Sequence, residues 1–72
     1  METTMKISAR NVLAGTITGV KKGATTAHVT IDVKGIAITA SITNEAVDAL
    51  GLKVGGAASA VIKSSNVLVA VD

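Results

Sequence analysis

The 72-residue chain has no phenylalanine, tyrosine or tryptophan, no cysteine, and a single histidine, His28. Without aromatic rings it lacks the side chains that bury the most area each, and also the platforms on which many proteins stack single-stranded bases. Without cysteine, disulfides and thiolate metal sites are excluded, and one imidazole cannot assemble a zinc site by itself. No apolar run approaches the roughly 18 to 20 residues of a membrane-spanning helix, and residues 1–6 lack the apolar stretch of a secretory signal. Both point to a cytoplasmic protein with no membrane role. Charge is sparse. Seven Lys or Arg against five Asp or Glu give +2, a bias compatible with anionic small molecules and too weak to indicate nucleic acid.

What the chain does have is aliphatic matter. It is 49% hydrophobic, built from Val, Ile and Ala, which is more than so small a core readily uses. Small domains without staples commonly oligomerise, and obligate homomeric interfaces are more apolar than ordinary surface, so the excess is expected between subunits.

Along the chain, residues 1–5 read as a frayed end and residues 6–72 as a single domain. Residues 11–21 alternate as a first strand, with Val12, Ala14, Thr16, Thr18 and Val20 on one face and Leu13, Gly15, Ile17 and Gly19 on the other. Two glycines inside one strand imply a bulge, a barrel corner or close approach of another backbone, hence a strongly bent strand. Lys21-Lys22-Gly23-Ala24 follows as a turn in which Gly23 is free to take positive φ. In residues 27–33, Val29, Ile31 and Val33 alternate inward against His28, Thr30 and Asp32, a half-buried antiparallel strand. After a short Lys34-Gly35 turn, Ile36, Ile38, Ala40 and Ile42 mark the core face of a third strand.

The one helical signal comes next. Thr43 or Asn44 is placed to cap, Glu45 suits the first turn, Ala46, Val47 and Leu50 form a stripe, and Gly51 stops it. Residues 57–63 and 66–71 read as two last strands. The fold class is therefore mainly all-β: a five-stranded OB-like barrel with one short helix between the third and fourth strands.

Catalysis needs a nucleophile with its base, or a paired acid and base. The acids Glu2, Asp32, Glu45, Asp48 and Asp72 are scattered, and no serine has a base other than the solitary His28, which itself reads as a surface or interface residue. There is no Walker loop and no dinucleotide fingerprint. The chain is expected not to be an enzyme.

Two polar stretches share a composition instead. Ser8-Ala9-Arg10-Asn11 carries the only arginine, and Lys63-Ser64-Ser65-Asn66 repeats a cation beside hydroxyls and an amide. If the two meet in the fold, Arg10 supplies a planar fork of donors, Lys63 a compact cation, and Ser8 and Ser64 hydroxyl protons, with backbone amides around them. Such a set suits a tetrahedral dianion, and the lack of neighbouring carboxylates removes the repulsion that would oppose one. Molybdenum or tungsten oxyanions carry their own oxo ligands, so a protein without cysteine can hold them by hydrogen bonds to oxygen. The alternative is that Arg10 and Lys63 are ordinary solvated charges at strand ends. The Lys21–Ala24 turn is likewise either an anion nest or a solvated hairpin tip.

Taken together, Ser8-Ala9-Arg10-Asn11, Gly15, Gly19, Lys21-Lys22-Gly23-Ala24, Ile42-Thr43-Asn44-Glu45, Leu50-Gly51-Leu52 and Val61-Ile62-Lys63-Ser64-Ser65-Asn66-Val67 resemble the molbindins, the Mop family of small molybdate- and tungstate-binding proteins of TOBE-domain type. The resemblance runs over residues 5–72. It departs only in a few extra residues before Lys6 and in the short turn at Lys34-Gly35.

The resemblance implies a cytoplasmic store for molybdate or tungstate, assembled as a hexamer, a trimer of dimers, with anions at subunit interfaces. A first site would fall on Ser8, Ala9 through its amide, Arg10, Lys63 and Ser64, with Thr43 from a neighbouring chain. A second, near a threefold axis, would fall on Lys22, Gly23 and Ala24. No covalent cofactor and no direct side-chain metal ligand is implied. Two other readings remain: a molybdate-responsive regulatory module, although no helix-turn-helix or partner domain is seen to transmit a signal, and a structural or nucleic-acid-binding barrel.

Overall fold

The structure, a computed structural model, describes residues 11–72. In chain order the elements are β1 (Asn11–Lys22), β2 (Thr26–Val33), β3 (Ile36–Thr43), α1 (Asn44–Leu50) and β4 (Ala57–Ile62), followed by a 3-10 turn at Ser64–Asn66. The strands form one antiparallel sheet in the order β3-β2-β1-β4, so β1 is the longest strand and an inner one, while β3 and β4 are the edges.

The alternation in β2 is carried through, and that in β3 from Ile38 onward, whereas Ile36, expected on the core face, is 65% exposed at the start of the edge strand. Ala27, Val29 and Ile31 are buried while His28 is exposed, and Ile38, Ala40 and Ile42 are half-buried between exposed Thr39, Ser41 and Thr43. In β1 the expected faces hold only as far as Ile17. The ladder pairs Ile17 with Ile31 and then Gly19 with Thr30, leaving Thr18 as an extra residue. That bulge reverses the phase, so Val20 lies opposite Val29 and packs on the core instead of pointing outward with Val12. Gly15 has a steric reason. A Cβ there would stand 2.3 Å from the Asp32 carbonyl oxygen and 2.9 Å from Ile31 Cγ2, so only glycine lets β1 and β2 approach this closely.

Past Thr16, the β1–β4 contact continues into the turn before β4: Ile17 N donates to Gly56 O at 2.8 Å and Gly55 N to Ile17 O at 2.8 Å. Ile17 is thus held on both sides of the strand and is among the largest fully buried side chains. The core is Ile17, Ala27, Val29, Ile31, Val47 and Ala60, with Val20, Val33, Ile38, Ile42, Leu52 and Ala58 against it.

α1 starts where the sequence places it because Thr43, in an extended conformation, accepts a hydrogen bond from Ala46 N at 3.0 Å through its hydroxyl oxygen. It stops at Gly51, whose φ of 64° is left-handed and whose N–H turns back to the Asp48 and Val47 carbonyls. Of its apolar stripe only Val47 is buried; Leu50 is 69% exposed.

Two expectations are corrected. Gly23 is not in the left-handed region, which among the described glycines is taken by Gly35, Gly51 and Gly55. Its glycine is needed because a Cβ would come within 2.9 Å of the Thr26 carbonyl oxygen. The second concerns residues 66–71, expected as a fifth strand. Among the described residues they pair with nothing: the chain leaves β4 through the 3-10 turn, and Leu68, Val69 and Val71 are 92%, 88% and 91% exposed. Alternating apolar side chains make a strand only where another strand supplies a ladder, and here the chain runs clear of its own sheet.

Candidate oxyanion site

β1 and β4 meet at the end where Asn11 pairs with Ile62, and the Asn11 amide nitrogen Nδ2 donates to Ile62 O at 3.2 Å. Lys63 follows at once, extended at φ −65° and ψ 136°. The turn after it is closed by Asn66 N donating to Lys63 O at 2.9 Å and Val67 N to Ser64 O at 3.2 Å. The first N–H groups of such a turn have no acceptor within it and remain available to a ligand. Lys63, Ser64 and Ser65 are exposed, and among the described residues Lys63 makes no ion pair. Ser8, Ala9 and Arg10 lie outside the described residues. Their chain neighbour Asn11 is fixed against Ile62, the chain neighbour of Lys63.

Thr43 is at the other end of the sheet. It pairs with Thr26, beside the pair of Lys22 and Ala27, whereas Lys63 follows the Asn11–Ile62 pair at the opposite end of the β1 ladder. Among the described residues no hydrogen bond joins Thr43 to Lys63 or Ser64. The Thr43 hydroxyl oxygen is engaged as the helix cap, which leaves the hydroxyl proton free to be donated.

The Lys22–Ala24 turn lies at Thr43's end of the ladder, and its Lys22 and Gly23 groups are already engaged. Lys22 Nζ contacts Asp48 Oδ1 of α1 at 2.6 Å, a pair with side chains 45% and 70% exposed and so worth about 0 to 1 kcal/mol. Gly23 N donates to Thr26 O at 2.8 Å, and Gly23 O accepts from Asn44 Nδ2 at 3.0 Å. Asn44 Oδ1 is buried with no partner. Asp48 and Asn44 were not among the sequence candidates. Neither stands near Lys22 or Gly23 in the sequence, and only the docking of α1 beside the β1–β2 turn reveals them. His28 lies opposite Lys21 and Ser41 on the outer face, and no group of three metal-ligating side chains exists among the described residues.

A third feature is an open apolar seam. The two edge strands β3 and β4 flank a cavity of about 530 Å³, lined by Ile38, Ala40 and Ile42 from one side and Ala58, Ala60 and Ile62 from the other, with Leu50 and Leu52 at its margin. An edge strand presents unpaired backbone donors and acceptors, so the seam offers both apolar surface and ladder bonds. Among the described residues no helix is long and apolar enough to cross a membrane.

One antiparallel sheet in the order β3-β2-β1-β4, with a single capped helix after β3, defines a small, mainly β module. Residues 7–69 match the TOBE-domain family model, and the chain belongs to that family. It is 46% identical over 66 residues to molybdenum-pterin-binding protein 1 of Clostridium pasteurianum, covering 90% of this chain and 97% of that one. It is 48% identical over 67 residues to the molybdenum transport protein ModE of Herbaspirillum seropedicae, of which it spans only 25%. Among solved structures, the molybdate-binding protein from Sporomusa ovata superposes with a TM-score of 0.88 at 36% identity over 92% of this chain and 98% of that one. The cytoplasmic molybdate-binding protein ModG, with molybdate bound, superposes at 0.85 with 51% identity, over 89% of this chain and 46% of that one.

Proposed function

We propose that this chain binds molybdate or tungstate as intact oxyanions and stores them in the cytoplasm, as a homo-oligomer of six chains arranged as a trimer of dimers. The observation that carries this is the Asn11–Ile62 pair, which sets the chain neighbours of Arg10 and Lys63 side by side. The molybdate-binding names of the full-length relatives supply the ligand class. In the first site Arg10 gives its fork, Lys63 its ammonium, Ser8 and Ser64 their hydroxyls and Ala9 its amide. In the ladder Thr43 stands at the opposite end of β1 from Lys63, and it enters the site from a neighbouring copy, which puts the anion at a subunit interface. That placement has a physical basis: a buried dianion needs surrounding cations and donors, and an interface lets two chains supply them.

The second site, at Lys22, Gly23 and Ala24, is the weaker one, because an anion there competes with Asp48 for Lys22 and finds the Gly23 amide engaged. Residues 6–72 act as one domain and reach the five-stranded OB-like barrel on assembly. The fifth strand is residues 67–71 lying in the β3–β4 seam of a second copy. The seam is apolar, it has two free edges, and the tail is exposed, alternating and without a strand partner among the described residues.

The test is isothermal titration of the purified oligomer with molybdate, with sulfate in excess as competitor. Tight binding that sulfate does not abolish is the expected result. No heat from a folded, assembled protein overturns the reading.

A further inference from the structure

The tail that completes a neighbour's barrel and the groups that hold the anion are joined by a single turn. β4 ends at Ile62, Lys63 and Ser64 form the bend, and the tail begins at residue 67. Nothing local makes this bend rigid. Its start has no side-chain cap, its three residues are exposed, and two backbone hydrogen bonds, at 2.9 and 3.2 Å, close it. Left alone, such a turn permits many directions for the tail. An oxyanion that takes the Lys63 ammonium and the Ser64 hydroxyl as ligands fixes the turn, and with it the direction in which residues 67–71 leave the chain.

Resting on the storage reading above, we infer that the bound oxyanion is the lock on strand exchange: it holds each tail in the neighbouring seam, and the empty site is the state from which a tail withdraws and subunits swap. Withdrawal exposes Val67, Leu68, Val69 and Val71 and opens the seam, so it is slow in any case; occupancy makes it slower. If withdrawal requires an empty turn, the rate falls by the factor 1 + [L]/Kd, about a hundredfold at a hundred times Kd.

The experiment mixes the assembled protein with an isotopically heavy preparation and follows mixed oligomers by native mass spectrometry, at several molybdate concentrations and in sulfate. Binding is measured by titration on the same samples. Exchange that slows in proportion to molybdate, and is unchanged by sulfate at equal ionic strength, is the expected result. Molybdate that binds without changing the exchange rate overturns the lock and leaves storage intact. Absence of binding overturns both. A Leu68→Asp variant, with a charge in the tail, is expected to exchange faster at every molybdate concentration, or to lose the oligomer altogether. Unaltered exchange in that variant shows that the tail is not what moves.

Discussion

The two ends of β1 carry similar chemistry in the sequence, a lysine beside small polar residues and backbone amides, yet the fold treats them differently. At the Asn11 end, Lys63 is exposed and unpaired among the described residues, and the turn after it keeps amides without internal acceptors. At the Lys22 end, the ammonium touches Asp48, the Gly23 amide serves the turn and the Gly23 carbonyl holds Asn44. Composition does not separate a corner with free donors from one whose donors are engaged. What separates them is whether neighbouring elements have already satisfied the donors, and here the packing of α1 decides it.

The most severe way to break this contrast acts on the strand that joins the ends. Gly15→Ala places a methyl against the Asp32 carbonyl oxygen and forces β1 and β2 apart, a loss on the order of 3 kcal/mol, seen as a lower urea midpoint. A midpoint within error of wild type would show that β2 yields there. Next in size is Lys63→Ala, which removes a charge-assisted donor and should weaken molybdate binding by about 10- to 100-fold in a titration while leaving the oligomer formed. Unchanged affinity would mean that the free end of β1 is not the binding end.

Thr43→Ala tests the helix cap and the neighbour's contribution together. Loss of the cap should cost about 1 kcal/mol of stability in the apo protein. A further weakening of molybdate binding is expected, and Thr43→Ser should restore both; affinity untouched by the alanine change leaves Thr43 as a cap alone. The smallest effect belongs to Asp48→Asn. Because the pair with Lys22 is exposed, stability should change by less than about 1 kcal/mol, whereas any second class of anion sites in the titration should tighten a few-fold. If those weaker sites do not respond, Asp48 is not what keeps Lys22 from an anion.

Much of the sheet was readable because strands with one wet face write their period into the chain: Val29, Ile31 and Ile38, Ile42 lie where alternation puts them. The helix was readable from its two ends, Thr43 and Gly51, whose side-chain oxygen and left-handed φ are local properties. Three things escaped. The two glycines of β1 signalled a bulge or a close approach, but its position at Thr18 depends on how β1 meets β2, so the face of Val20 could not be read from β1 alone. The Lys22–Asp48 contact spans 26 positions and exists only after α1 docks. And residues 67–71 have the pattern of a strand without a ladder among the described residues, because pattern reports which side chains alternate and is silent about whether an edge is there to pair with. For the proposed site, Lys63 and Ser64 were singled out by residue type; that Thr43 pairs at the opposite end of the β1 ladder required the register.

The extra residue at Thr18 also has an evolutionary arithmetic. Ahead of it, Ile17 points inward on an odd number; after it, Val20 points inward on an even one. Gaining or losing one residue between Asn11 and Ile17 would turn an entire half-strand inside out, whereas removing Thr18 would straighten the ladder and carry Val20 away from Val29. Length variation among descendants of this chain should therefore avoid β1 and collect in the hairpin at Lys34 and Gly35, both exposed and outside the ladder.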